Sequence, residues 1–242
     1  MHRGPLRLTP AFARLPTCPE TAWSRREVLK ACLALGAVAL APPALAAGND
    51  GPGLDFKGPM PTPDQILGPF YPVQKPLDGG ADLARLAGRD PAMGEVIHVM
   101  GRVLNLRGEP CPDVNLEIWQ ANGAGRYTHP HDRNPAPLDP NFFGYANVRT
   151  DAGGRYRFRT VKPGAYPVIG DYWRPPHIHF DITGKVNRLI TQMYFPGEPL
   201  NLKDPLLQQS WAKDSLVASL FDAGPGEEAG RRVVWDIVLI QG

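Results

Sequence analysis

Cysteine is nearly absent from this 242-residue chain: there are three, and two of them, Cys18 and Cys32, lie within the first 46 residues. Beyond that stretch Cys111 stands alone, so no intrachain disulfide can form there and a cysteine-built metal site is all but excluded. Aromatic residues are scarce at 9%, and neither sign of charge dominates, with 26 Lys and Arg against 24 Asp and Glu. Long apolar runs are missing too. The most apolar stretch, residues 31–41, falls well short of the roughly 20 residues that cross a bilayer, which excludes a stable membrane anchor of that kind.

Proline and glycine, by contrast, are abundant, 28 and 26 residues, scattered among apolar segments rather than gathered in one tract. Such punctuation disfavours a helical bundle and favours short strands joined by many turns. The N-terminal Ser24-Arg25-Arg26-Glu27-Val28-Leu29-Lys30, a short apolar core and the small-residue Ala44-Leu45-Ala46 together predict a twin-arginine export signal over 1–46 and a periplasmic location. That segment holds six basic and two acidic residues. The remainder has 20 basic and 22 acidic, a formal charge of −2, so nothing in it suggests a nucleic-acid partner.

Residues 47–93 read as an N-terminal arm, polar and Gly/Pro-rich at first, then apolar through Ile66-Leu67-Gly68-Pro69-Phe70-Tyr71-Pro72, an extended segment suited to lie over a core. Residues 94–242 carry a series of strand-like runs at 96–104, 115–120, 145–150, 156–160, 177–183, 189–195 and 233–240, separated by turn chemistry such as Asp151-Ala152-Gly153-Gly154. The predicted class is all-β, an antiparallel sandwich with long loops. One helix is expected, over 205–220, where apolar residues recur at three- and four-residue spacing.

The segment Pro175-Pro176-His177-Ile178-His179-Phe180-Asp181 carries the most chemistry. Side chains alternate along a strand, so His177, His179 and Asp181 share one face while Ile178 and Phe180 point into a core. Two imidazoles on one face are either a solvated pair or the start of a metal site. With Asp181 and a distant histidine they would suit Fe(II). Tyrosine is a rarer ligand, but its phenolate is a hard oxygen donor that favours Fe(III). Tyr127 ends a small-residue loop, Asn122-Gly123-Ala124-Gly125-Arg126, and Tyr166 sits in a rigid turn after Pro163-Gly164-Ala165. Their ordinary role would be ring packing with a hydrogen-bonded hydroxyl. His129 and His131 read as exposed loop residues and Cys111 as a packed or exposed one.

Taken together, Glu117-Ile118-Trp119-Gln120-Ala121-Asn122-Gly123-Ala124-Gly125-Arg126-Tyr127, Leu138-Asp139-Pro140-Asn141-Phe142, Phe158-Arg159-Thr160-Val161-Lys162-Pro163-Gly164-Ala165-Tyr166-Pro167 and Trp173-Arg174-Pro175-Pro176-His177-Ile178-His179-Phe180 resemble the intradiol ring-cleavage dioxygenases over roughly residues 94–199. The resemblance implies one Fe(III) held by Tyr127, Tyr166, His177 and His179. It also implies a catechol that displaces Tyr166, O2 as co-substrate and a cis,cis-muconate-type product. Arg174 matches a cation beside the substrate ring, with an ion pair to Asp171 or Asp181 as its ordinary alternative; Gln192 matches a pocket residue. The interval from Tyr166 to His177 is shorter than in protocatechuate-cleaving members, and Val168 stands where they have a tryptophan, so the resemblance does not imply that substrate. It does imply a homo-oligomer or an α-like companion subunit, with an interface expected near Phe70 and Tyr71. A different β-scaffold metalloenzyme and a non-catalytic aromatic-binding module remain the alternatives.

Overall fold

Strand-forming sequence becomes a sandwich here through one long strand that holds a whole sheet together. The computed structural model describes residues 58–75, 80–224 and 229–241. The chain divides into two units, residues 1–54 and 55–242. The export-signal expectation lies in the first, outside the described residues.

Strand β1 (Val96–Asn105) pairs antiparallel with β4 (Arg155–Val161) along one edge. Its other edge takes two short strands in parallel, β10 (Arg231–Val234) and then β11 (Ile237–Leu239), while β9 (Ser219–Phe221) extends the sheet from β10. The second sheet is antiparallel, in the order β3 (Tyr145–Arg149), β2 (Asn115–Trp119), β7 (His177–Thr183) and β8 (Arg188–Tyr194). A two-stranded hairpin, β5 (Tyr166–Ile169) with β6 (Tyr172–Arg174), stands apart from both sheets.

Between the sheets lies an apolar core to which both contribute by strict alternation. Ile97, Val99 and Phe158 face Leu116, Ile118, Ile178, Phe180 and Ile182. Phe180 sits at its centre, its ring 5.1 to 6.2 Å from those of Trp235, Phe158 and Tyr156. Burying such side chains supplies most of the folding free energy, on the order of 1.5–3 kcal/mol for each large one.

Three local expectations are corrected. The predicted helix over 205–220 is a single turn, α1 (Pro205–Gln208), a 3-10 turn (Lys213–Leu216) and strand β9. Of its apolar residues only Leu207, Leu216 and Ala218 are buried while Trp211 is exposed, and the backbone turns aside so that the Ala218 amide bonds to the Tyr194 carbonyl. Tertiary pairing here outweighs helical spacing. The run predicted over 233–240 starts earlier and breaks at Trp235-Asp236, where the Asp236 carboxylate takes the Arg102 amide in place of a ladder carbonyl. Tyr166, expected in a turn, opens strand β5. Cys111 is buried.

The arm expected to cover a core does so over its described part. Thr62 bonds to Val238 of the first sheet, and residues 63–66 run along the second sheet's edge, with the Gln65 amide bonded to Ile190, the Thr191 hydroxyl to Pro63 and the Gln192 side chain to Ile66. Beyond them, Phe70 and Tyr71 pack against a separate buried aromatic cluster on the outer side of that sheet. Both are half-buried there and line the site, while Ile66 and Val73 beside them are exposed.

Candidate active site

The outer cluster gathers Trp119, Tyr127, Tyr145 and Tyr166 next to His177 and His179. Each element delivers its side chain for a local reason. On β7 the alternation that sends Ile178 and Phe180 inward sends His177 and His179 outward, with their Nε2 atoms 3.2 Å apart. Tyr127 and Tyr166 are brought together by two interlocked turns. The Asn122 side chain accepts the Ala124 and Arg126 amides and so closes the loop, and the Gly164 amide bonds to the Asn122 carbonyl. Gly125 has φ +83, and a Cβ there would come within 2.2 Å of the Ala165 carbonyl oxygen, so only glycine lets the two backbones touch. The Asp132 carboxylate fixes the Tyr127 amide. The phenol rings end 5.5 Å apart, centre to centre.

The two histidines are held differently. His177 Nδ1 lies 2.7 Å from the Pro175 carbonyl, a contact that requires Nδ1–H and leaves Nε2 with a free lone pair. His179 has no hydrogen bond at Nδ1 and is held by packing: the Trp119 indole stacks on it at 4.8 Å and 11°. Gly68, at φ +78, lies so close that a Cβ would stand 3.1 Å from His179 Cε1. Burial, then the Arg174 charge, pushes the pKa of both imidazoles well below the usual histidine range, so they are neutral donors. Burial also raises the pKa of both phenols. For Tyr127 the neighbouring Tyr166 adds to the effect, whereas for Tyr166 Arg174 opposes it.

Arg174 is buried and follows from hairpin register, because it pairs with Tyr166 across β5 and β6. Its guanidinium donates to Gln192 Oε1 at 2.7 Å and to the Tyr194 hydroxyl at 2.9 Å. Those two residues lie directly opposite His179 and His177 on β8. Its ion-pair partner is Asp204, not Asp171 or Asp181 as the sequence suggested. Asp181 is clamped instead by Arg188, with contacts of 2.8 and 2.6 Å. The structure thus brings together Tyr127, Tyr166, Arg174, His177, His179 and Gln192. Val168 follows in β5 and is exposed. Half-buried His129 and exposed His131 form a pair in the loop, the former against Phe70.

Sequence reasoning missed Asp204, Asp132 and the part of Phe70, whose ring lies 4.8 Å from that of Tyr127. An acidic residue opening a helix was the one available signal for Asp204.

The donor set fits a single hard, highly charged cation. Two imidazole nitrogens 3.2 Å apart suit adjacent positions on one ion, since metal–imidazole bonds of about 2.1 Å at right angles place their nitrogens about 3 Å apart. Tyr127 carries a buried hydroxyl without a hydrogen-bond partner, and Tyr166 Oη lies 3.5 Å from His177 Nε2. Buried phenols ionise only where positive charge compensates. A carboxylate-containing alternative finds no support, because no three His, Cys, Asp or Glu side chains converge among the described residues.

A dioxygenase family model matches residues 66–241. The protocatechuate 3,4-dioxygenase beta chain of Burkholderia cepacia is 45% identical over 193 residues, 74% of this chain and 81% of that one. Catechol 1,2-dioxygenase 2 of Acinetobacter lwoffii is 35% identical over 153 residues, 57% of this chain and 52% of that one. Among solved structures, the dioxygenase domain of a dioxygenase and carbohydrate-binding protein fusion from the cellulolytic bacterium Streptomyces sp. SirexAA-E superposes with a TM-score of 0.59 at 31% identity, covering 76% of this chain and all of that one.

Proposed function

Since the chain belongs to the intradiol ring-cleavage dioxygenases, we propose that it uses Fe(III), held by Tyr127, Tyr166, His177 and His179, to open a catechol-type ring with O2 to a cis,cis-muconate-type diacid. The observation that carries this reading is the meeting of two buried phenols and two neutral imidazoles beside one buried guanidinium. Bound there, ferric iron supplies a Lewis acid that draws electron density from a chelating catecholate and makes the ring reactive toward O2.

The side chains supply the rest. His177 Nε2 is presented by the Nδ1–H bond to Pro175, and His179 by its stack on Trp119. Tyr166 Oη is the proton acceptor for a catechol hydroxyl: burial favours its protonated form, so a proton delivered there stays. Arg174 faces the ring and stabilises negative charge developing on it, in a site from which Phe70 and Tyr71 help exclude water. Gln192 anchors Arg174. Val168, exposed beyond Tyr166, borders the substrate and leaves more room than a tryptophan would.

Export by the twin-arginine route to the periplasm completes the proposal, as does self-association or pairing with an α-like subunit. The deciding experiment is oxygen uptake by the iron-loaded protein with a panel of catechols, with and without a ring carboxylate. Stoichiometric O2 consumption with a diacid product is expected. An iron-loaded protein inert toward every catechol, or one yielding the semialdehyde of extradiol cleavage, would overturn it.

A further inference from the structure

Outside the ligand set lies a charged group with no role yet: Asp204, which is fully buried. Its Oδ2 lies 3.2 Å from Arg174 Nε, and its Oδ1 accepts from the Tyr172 hydroxyl at 2.8 Å and from the Leu206 amide at the start of α1. Together with the donation of Nη2 to Gln192 and Tyr194, this engages Arg174 Nε and Nη2 and leaves Nη1 without a hydrogen-bond partner among the described residues. The anchors come from opposite sides, β8 on one and the α1 cap on the other.

Fold stability alone does not call for a carboxylate here. Asparagine caps a helix as well as aspartate does. A buried ion pair is commonly no more stabilising than neutral residues of the same shape, because both charges lose their water. What a carboxylate does uniquely is hold a guanidinium fork in one orientation and balance its charge. We propose that Asp204, with Tyr172 behind it, is a positioning residue that aims Arg174 Nη1 at the substrate ring. The inference rests on the reading of Arg174 as the cation beside that ring.

The test is a double-mutant cycle on the iron-loaded protein, with kcat and KM measured by oxygen uptake for Asp204→Asn, Arg174→Gln and the double variant. Asp204→Asn keeps the cap and the acceptor for Tyr172 but loses the charge. It is expected to lower kcat by about tenfold to a hundredfold, as small displacements of a catalytic group do, with KM little changed. In the Arg174→Gln background the same change should have no further effect. Wild-type kcat in Asp204→Asn, an effect confined to KM, or full multiplication of the two losses would overturn the proposal. Should Asp204→Asn not fold, Tyr172→Phe enters the same cycle with a smaller expected loss. A wild-type protein without activity would instead overturn the function itself, so the two failures are distinguishable.

Discussion

On one face of β7, Ile178, Phe180 and Ile182 are sealed in an apolar interior; on the other, His177, His179 and Asp181 are equally buried, but among phenols, an indole and a guanidinium. Six consecutive residues therefore serve two environments with opposite economics. Inward, removing a side chain from water is favourable in itself. Outward, every buried polar group loses solvation and must recover it from a partner. Most do, as with Asp181 and Arg188, but Tyr127 Oη and His179 Nδ1 do not. Local rules give way on the face that the proposal makes functional, which is where proteins ordinarily break them.

The sharpest way to break the comparison is to exchange the consequences of mutation. Phe180→Ala on the inner face should cost about 3–5 kcal/mol of unfolding free energy in urea. His179→Gln on the outer face should abolish iron retention after dialysis while changing the metal-free protein's stability by only about 1 kcal/mol or less. Similar losses of stability from both would erase the distinction.

A pH titration sharpens it further. The folded imidazoles have pKa values below the unfolded ones, so their contribution to stability is present above the unfolded value of about 6.5 and is lost as pH falls below it. The metal-free protein should therefore weaken between pH 7.5 and 5.5 by up to about 1.4 kcal/mol per pH unit for each imidazole. His179→Gln should show a shallower slope; an unchanged slope would contradict the burial of a neutral His179.

Smaller still is Gly68→Ala, which places a methyl group against His179 in a left-handed backbone and should cost about 1–3 kcal/mol or shift the imidazole. Altered iron affinity in a folded variant would be the signature of the shift. The smallest effect is expected at Lys75, whose ion pair with Glu117 at 2.7 Å is partly exposed. Lys75→Ala should change stability by about 1 kcal/mol or less and leave turnover intact.

Much of this was legible in advance, for reasons that particular residues make plain. Alternation is a local property, and it located β7 at its observed bounds, His177–Thr183, as well as the strands around Ile97 and Ile118. The meeting of Tyr127 with Tyr166 was not a matter of periodicity. It depends on contact between the Gly125 and Ala165 backbones, and only the resemblance to a family anticipated it. Asp204 stayed hidden because its partner, Arg174, lies thirty residues away and each looks ordinary in its own segment. The helix expected over 205–220 failed for a related reason: edge pairing with β8 is a long-range gain that spacing does not encode.

The central claim, that two tyrosinates and two histidines share one ferric ion on the outer face of β7, is tested most directly by the visible spectrum of the purified, iron-analysed protein beside Tyr127→Phe and Tyr166→Phe. One iron per chain and a red-brown tyrosinate-to-iron charge-transfer band that changes in each variant is the predicted result. An iron-bearing, active protein without that band, or one whose band survives unaltered in either variant, would contradict it.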